Sequence, residues 1–329
     1  MKRILSISSL LLAFLMIFSS CSGSKDSALS VGKGQVGKDV FAYYVDYVIV
    51  NENKDKKMSE EQIVKRANEL CLEYIKINTK FSEMKLSLHA SVKAQIADKV
   101  TNTWGIFENY YTSIGVSKQT LTKIQENLAF RDTLLLAIYD TNGTNPVDED
   151  SLKSYFKDNY IFFKSINEYF KTTNENGKEI DMTPASVTAI KNKFNEMATS
   201  ISQDNTIDAV NSAYAQSIGQ PVADAIPISV IDKASTSYPA GFFGNVSEIS
   251  GGQVKVLTLE DYIFLVQRID NFDESQNFYK TYRIPCLKEM VANEFTKTVS
   301  DWYKDSKVNP NERAQRKCYD QIVDVRSEK

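Results

Sequence analysis

Apolar positions follow three regimes along the chain: one unbroken run near the start, a long stretch at helical spacing, and a later block where alternating and helical spacing take turns. The run is Leu10 through Phe18, preceded by Lys2 and Arg3 and followed by Ser19-Ser20-Cys21. Helical spacing begins with Val40, Phe41, Tyr44, Val45 and Val48, after a short strand and turn from Val31 to Asp39. Ser59 with Gln62 three residues on is a capping box. It opens a helix whose stripe is Ile63, Ala67, Leu70, Tyr74, Ile77, Phe81, Met84 and Leu88. Interleaved Leu72 and Ile75 widen that stripe beyond a coiled-coil seam and predict packing inside a helical lobe. A third helix carries Val92, Ile96, Val100, Trp104, Phe107, Tyr111 and Ile114 and ends at Gly115; a fourth, capped by Ser117, carries Leu121, Ile124, Leu128, Leu135 and Ile138.

The pattern changes after Asn145-Pro146. Val147–Tyr160 reads as a helix whose early acids suit the positive end of its dipole. Ile161–Phe170 reads as a strand, and 172–181 as a polar loop around an Asn-Gly pair. Thr183-Pro184 opens a helix over Val187, Ile190, Phe194, Met197 and Ile201, with proline at a position where its missing donor is harmless. A shorter helix over Ile207, Val210, Tyr214 and Ile218 follows, then a stretch from 220 to 252 read mostly as loop. Gln253–Leu259 and Tyr262–Ile269 alternate about Glu260-Asp261 as a hairpin. Pro285 is expected to start a last long helix with Leu287, Val291, Phe295, Val299 and Trp302 facing inward. Helices, then a mixed block, then helix again predict a mainly helical α+β chain with one domain inserted into another.

Composition narrows the chemistry. The 329 residues are 42% hydrophobic and include 17 Phe and 17 Tyr, a globular profile. Formal net charge is −3, and loss of residues 1–20 removes Lys2 and Arg3 but no acid, giving −5. Without a Lys/Arg cluster to neutralise phosphates, a nucleic-acid partner is not expected. Cys71, Cys286 and Cys318 are widely spaced and form neither a disulfide framework nor a CxxC motif. His89 is the single histidine, which argues against His-rich metal sites and places it at a helix junction rather than in catalysis. There is no phosphate loop, no Gly-x-Ser-x-Gly elbow and no HExxH, so no cofactor, metal or catalytic residue is assigned.

The start of the chain resembles a bacterial lipoprotein signal, in which diacylglycerol, palmitate among its acyl chains, is attached to the cysteine after cleavage before it. Phe18 stands where that pattern usually has an aliphatic residue. The resemblance implies a signal peptide over 1–20, lipid attachment at Cys21, a flexible tether over 21–30 and a location on the extracytoplasmic face of the cell membrane. An ordinary cleaved signal leaving a secreted protein is the alternative.

The order of elements resembles extracytoplasmic foldases of the PrsA and SurA type. Three stretches carry the likeness: Val31–Tyr44, Val147–Tyr160, and Ser247-Glu-Ile-Ser-Gly-Gly with the hairpin after it. The resemblance implies a SurA-like helical chaperone lobe over 31–160, a parvulin-like α/β domain over 161–271, and a C-terminal helix within 272–329 completing the lobe. Parvulins carry one histidine in the first strand and one in the last. Asn167 and Ile263 occupy those positions here, so the domain is expected to lack peptidyl-prolyl isomerase catalysis, with Phe242, Phe243 and Tyr262 left as a peptide groove. The implied function is a membrane-anchored chaperone for unfolded, newly exported proteins. The alternatives are an active isomerase with an altered pocket and a surface-assembly scaffold, which exposure of part of the Ile63–Leu88 stripe would support; a homodimer is left open.

Overall fold

The computed structural model describes residues 27–223, 225–269 and 278–327. The signal run and Cys21 lie outside the described residues. Two compact units form: Met1–Thr144 with Ala292–Lys329, and Asn145–Val291.

The first unit opens with β1 (Ser27–Val31) and β2 (Gly34–Gly37), joined through Gly32, whose φ of +56° favours glycine. Of the span 21–30 expected as tether, residues 27–30 are strand instead, with Ala28 and Leu29 buried. α1 (Lys38–Tyr47) runs into a single π-helical turn, Val48–Glu52. α2 (Glu60–Glu83) starts on the expected capping box: Ser59 Oγ accepts from Gln62 N at 3.3 Å, and Ser59 N donates to Gln62 Oε1 at 2.8 Å. Its stripe buries Ile63, Ala67, Ile77 and Phe81, and Cys71 and Ile75 widen it, as a helix packed on two neighbours requires. α3 (Ala90–Ser113) is capped by His89, whose Nδ1 accepts from Ser91 N at 3.3 Å, which gives the single histidine a structural role at the surface. α4 (Lys118–Tyr139) is capped by Ser117. α2 packs on α1 and α4, and α3 packs on α4.

The second unit begins with α5 (Glu149–Asn159) and β3 (Ile161–Tyr169). Lys171–Thr173 and Glu179–Asp181 pair as a small hairpin, β4 and β5, around Asn176-Gly177. Next come α6 (Pro184–Ser200), α7 (Ile207–Ser217), β6 (Ser229–Ile231), α8 (Phe242–Ser247), β7 (Val254–Leu259) and β8 (Tyr262–Arg268). The stretch from 220 to 252, expected as loop, thus contains a strand and a short helix. The sheet is antiparallel in the order β6-β3-β8-β7. Its two-residue period sorts side chains cleanly. One face carries Ile161, Phe163, Leu257, Phe264 and Val266 against Phe242, Val246 and Ile249. The other carries Ile166, Ile263 and Leu265 against Phe194 and Met197 of α6 and Ile207 and Val210 of α7.

α9 (Phe278–Asp301) contains Pro285 in its interior rather than at its start. Proline forgoes one i→i−4 hydrogen bond, and side-chain contacts flank the site. Arg283 meets Glu149 at 3.0 Å, Tyr279 Oη donates to Glu149 at 2.5 Å, and the Cys286 thiol donates to the Leu152 carbonyl at 3.8 Å. Phe156 lies 5.6 Å from Tyr279 and 6.2 Å from Tyr282, ring centre to ring centre. This aromatic and ionic pairing draws α5 into the second unit, so the division falls at 144/145 rather than at the expected 160/161.

Residues of α9 from Ala292 onward belong to the first unit, where Phe295 meets Tyr139 and Trp302 edge to face at 6.3 and 6.0 Å. Two elements not expected from the pattern follow. β9 (Val308–Pro310) pairs with β1, making a three-stranded sheet β2-β1-β9, and α10 (Glu312–Ser327) packs on α1.

Candidate functional site

The first unit leaves much of α3 uncovered. Only Ile96 and Val100 of that helix are buried. Ile106 is 74% exposed and Phe107 49%, although Phe107 belongs to the stripe expected to face inward. Trp104 stacks on Tyr111 at 6.5 Å, and Phe107 meets Tyr111 edge to face at 6.2 Å. Tyr43 of α1 is pushed up to about 12 by burial, with Tyr111, Tyr47 and Asp46 as close electrostatic neighbours. Tyr47 and Val50 are themselves exposed. Aromatic side chains of α1 and α3 thus come together in an aromatic edge, with Tyr43 beside Tyr111.

That edge stands on a fixed base. Asp46 is buried and accepts from Tyr110 Oη and from Arg326 at 2.9 Å (Nε) and 2.5 Å (Nη2). The Arg326 guanidinium lies 5.3 Å from the Tyr110 ring centre. Burial, then the Asp46 hydrogen bond, raises the Tyr110 pKa, so its hydroxyl stays a donor. α1, α3 and α10 are tied at one carboxylate, which holds the aromatic edge in place.

Between α3 and α4 runs an open groove of about 370 Å³. Val92, Ile96, Leu128 and Ala129 supply its apolar wall, and Lys99, Arg131 and Asp132 part of its polar rim. Leu128, expected to face inward, is 50% exposed. Grooves of this size with apolar walls and a charged rim accept side chains of an extended or helical segment with little sequence readout.

In the second unit, Phe242 is a core residue, 1% exposed, stacked on Tyr238 at 4.2 Å and meeting Phe264 at 4.8 Å. It does not line a groove. Phe243 and Tyr262 are half-buried against the same core, and Tyr262 stacks on Tyr169 at 4.6 Å. Asn167 pairs across the sheet with Phe264, whereas Ile263 pairs with Glu168. Asn167 is exposed and shares its face with Phe163, and Ile263 is fully buried on the opposite face beneath α6 and α7. The sheet does not bring these two positions together.

Sequence pattern missed Ile106 and the exposure of Phe107. The signal was present, since Ile106 falls about 100° around the helix from Phe107 and so outside the stripe. Cys71, Cys286 and Cys318 are free and buried; burial pushes the Cys286 thiol up to about 12 and the Cys318 thiol up to about 11. Among the described residues, no three His, Cys, Asp or Glu side chains are placed to hold a metal ion. Likewise, no helix among them is long and apolar enough to cross a membrane.

No family model matches the chain, and no curated protein matches it. The chain is similar to solved structures of foldases and chaperones. Foldase protein PrsA from Lactococcus lactis matches at 11% identity over 91% of this chain and 99% of its own, with a TM-score of 0.39. Foldase protein PrsA from Streptococcus pneumoniae matches at 13% identity over 80% of this chain and 96% of its own, also with a TM-score of 0.39. A SurA-like chaperone from Campylobacter jejuni matches at 13% identity over 86% and 98%, with a TM-score of 0.28.

Proposed function

We propose that this protein is a membrane-anchored extracytoplasmic chaperone that holds unfolded, newly exported polypeptides on the first unit. The observation that carries the reading is the aromatic edge of α3, where Phe107 stands exposed against Tyr111, Tyr111 stacks on Trp104, and Ile106 is open to solvent next to Phe107 in the chain. Neighbouring exposed apolar side chains on a rigid base are the kind of surface that marks an interaction site. The groove between α3 and α4 adds a second apolar wall. Binding by buried non-polar area suits clients that share exposed side chains and little else. Anchoring through Cys21 is what the resemblance of the start of the chain to a lipoprotein signal implies. The second unit serves in this reading as a non-catalytic arm, because it carries no histidine where parvulins have two.

The test is a holding assay with the mature chain and a chemically denatured client that aggregates on dilution. Suppression of light scattering at near-stoichiometric ratio supports the proposal. Unchanged aggregation at tenfold excess, together with no complex by gel filtration, overturns it.

A further inference from the structure

Five residues, and so six Cα-to-Cα steps, separate Cys21 from Ser27, where β1 begins. A chain of that length spans at most about 20 Å even when drawn straight. A lipid on Cys21 would therefore keep the start of β1 within that reach of the headgroups. That start is fixed to the beginning of α10. The Ser27 carbonyl accepts from Asn311 Nδ2 at 3.0 Å, and the Ala28 carbonyl accepts from Asn311 N at 2.9 Å and Gln315 Nε2 at 2.8 Å.

α10 buries Ala314, Gln315, Cys318 and Ile322 and leaves Arg313, Arg316 and Lys317 exposed. Spacings of three and four gather those cations on one side of the first two turns. None of the three is in an ion pair among the described residues. Acids on the outer side of the helix come later, at Asp320 and Asp324, and Glu312 precedes the cations. A cationic turn thus sits beside the point from which the lipid-bearing segment departs.

We infer that Arg313, Arg316 and Lys317 dock on anionic phospholipid headgroups and set how the first unit is presented on the membrane. The inference rests on lipid attachment at Cys21. A tether this short holds the cations at high effective concentration over the bilayer, and headgroup attraction acts within a Debye length of about 8–10 Å. Charge complementarity and tether length point to the same occupant.

The experiment couples the full mature chain through Cys21 to a maleimide lipid in vesicles of phosphatidylcholine alone or with three parts in ten phosphatidylglycerol. Acetylation of Lys317 by a neutral reagent is followed by mass spectrometry. The expected result is at least about threefold slower modification on the anionic vesicles, lost in 0.5 M salt and lost in an Arg313→Gln/Arg316→Gln variant. Equal rates on the two vesicles overturn the inference, as does protection by soluble polyglutamate but not by anionic vesicles, which would assign the face to an acidic protein. The Cys21 peptide from the native membrane fraction is analysed separately. An unmodified Cys21 overturns the tether, while the vesicle rates and the holding assay report independently on the cationic turn and on client binding.

Discussion

Asn167 and Ile263 lie on neighbouring strands of one sheet but point to opposite sides of it, because Asn167 is registered with Phe264 and Ile263 with Glu168. Two imidazoles at these positions would be separated by the sheet itself. The Asn167→His/Ile263→His variant is therefore expected to show no gain in the rate of cis to trans conversion of a proline peptide, measured at high protein concentration. Ile263→His alone places a polar ring at a fully buried site and is expected to destabilise the second unit by about 2–4 kcal/mol in urea unfolding.

Exposure separates two aromatic residues that look alike in the sequence. Phe107 is half open to solvent, and Phe242 is enclosed by Phe163, Tyr238 and Phe264. Ile106→Ser/Phe107→Ser is expected to leave unfolding free energy within about 0.5 kcal/mol of the parent and to weaken client holding at least threefold in the light-scattering assay. Phe242→Ala is expected to cost about 3–5 kcal/mol. Its loss of holding, where seen, should follow the unfolded fraction measured by circular dichroism.

Alkaline pH is expected to unfold the protein earlier than its net charge suggests. Burial pushes the Tyr43, Tyr74 and Tyr155 hydroxyls up to about 12 and the Cys318 thiol up to about 11. Groups raised in the folded state keep their protons while the unfolded chain loses them, so stability is intact below the unfolded value of about 10 for tyrosine and falls as pH climbs from there toward 12. Lys76 works the other way: burial lowers its pKa, although its ammonium donates to the Ser300 carbonyl at 2.7 Å. The tyrosines outnumber it. Denaturation midpoints measured between pH 9 and 11.5 should decline, with tyrosinate absorbance appearing together with loss of helical signal.

Acid acts through a different pair. Hydrogen bonds from Arg283 hold the Glu149 carboxyl below its ordinary value, against the opposing effect of burial. Such a group stabilises the fold above its unfolded value and loses that contribution as pH falls through the folded one. Glu149→Gln is expected to cost about 1 kcal/mol at pH 7, the carboxylate being partly solvated. The difference from the parent should shrink below pH 4 in urea titrations.

The helices α2, α3 and α4 were legible because their stripes recur at three and four residues over six turns, and their caps, Ser59 and Ser117, are chemically explicit. α10 was not. It buries Ala314, Cys318 and Ile322 among charges, a spacing of four with little apolar mass. β9 has no period to read, since all three residues are exposed and the strand exists only by pairing with β1. The candidate surface was partly hidden for the opposite reason: the stripe keeps its period through Trp104 and Phe107 although Phe107 is uncovered, and periodicity does not say which positions a neighbour covers. The positions aligned with the parvulin histidines failed on register, where a slip of one residue moves a side chain to the other face.

Under the export proposed above, pairing of β1 with β9 also sets an order of events. A polypeptide threading through a membrane outward from its amino end presents β1 long before Val308–Pro310 arrives. The second unit is contiguous from Asn145 to Val291 and can close while later residues are still in transit. The first has to wait with one strand unmatched until the stretch around Asn311 has crossed, so the unit proposed to shelter unfinished proteins is itself the last to finish.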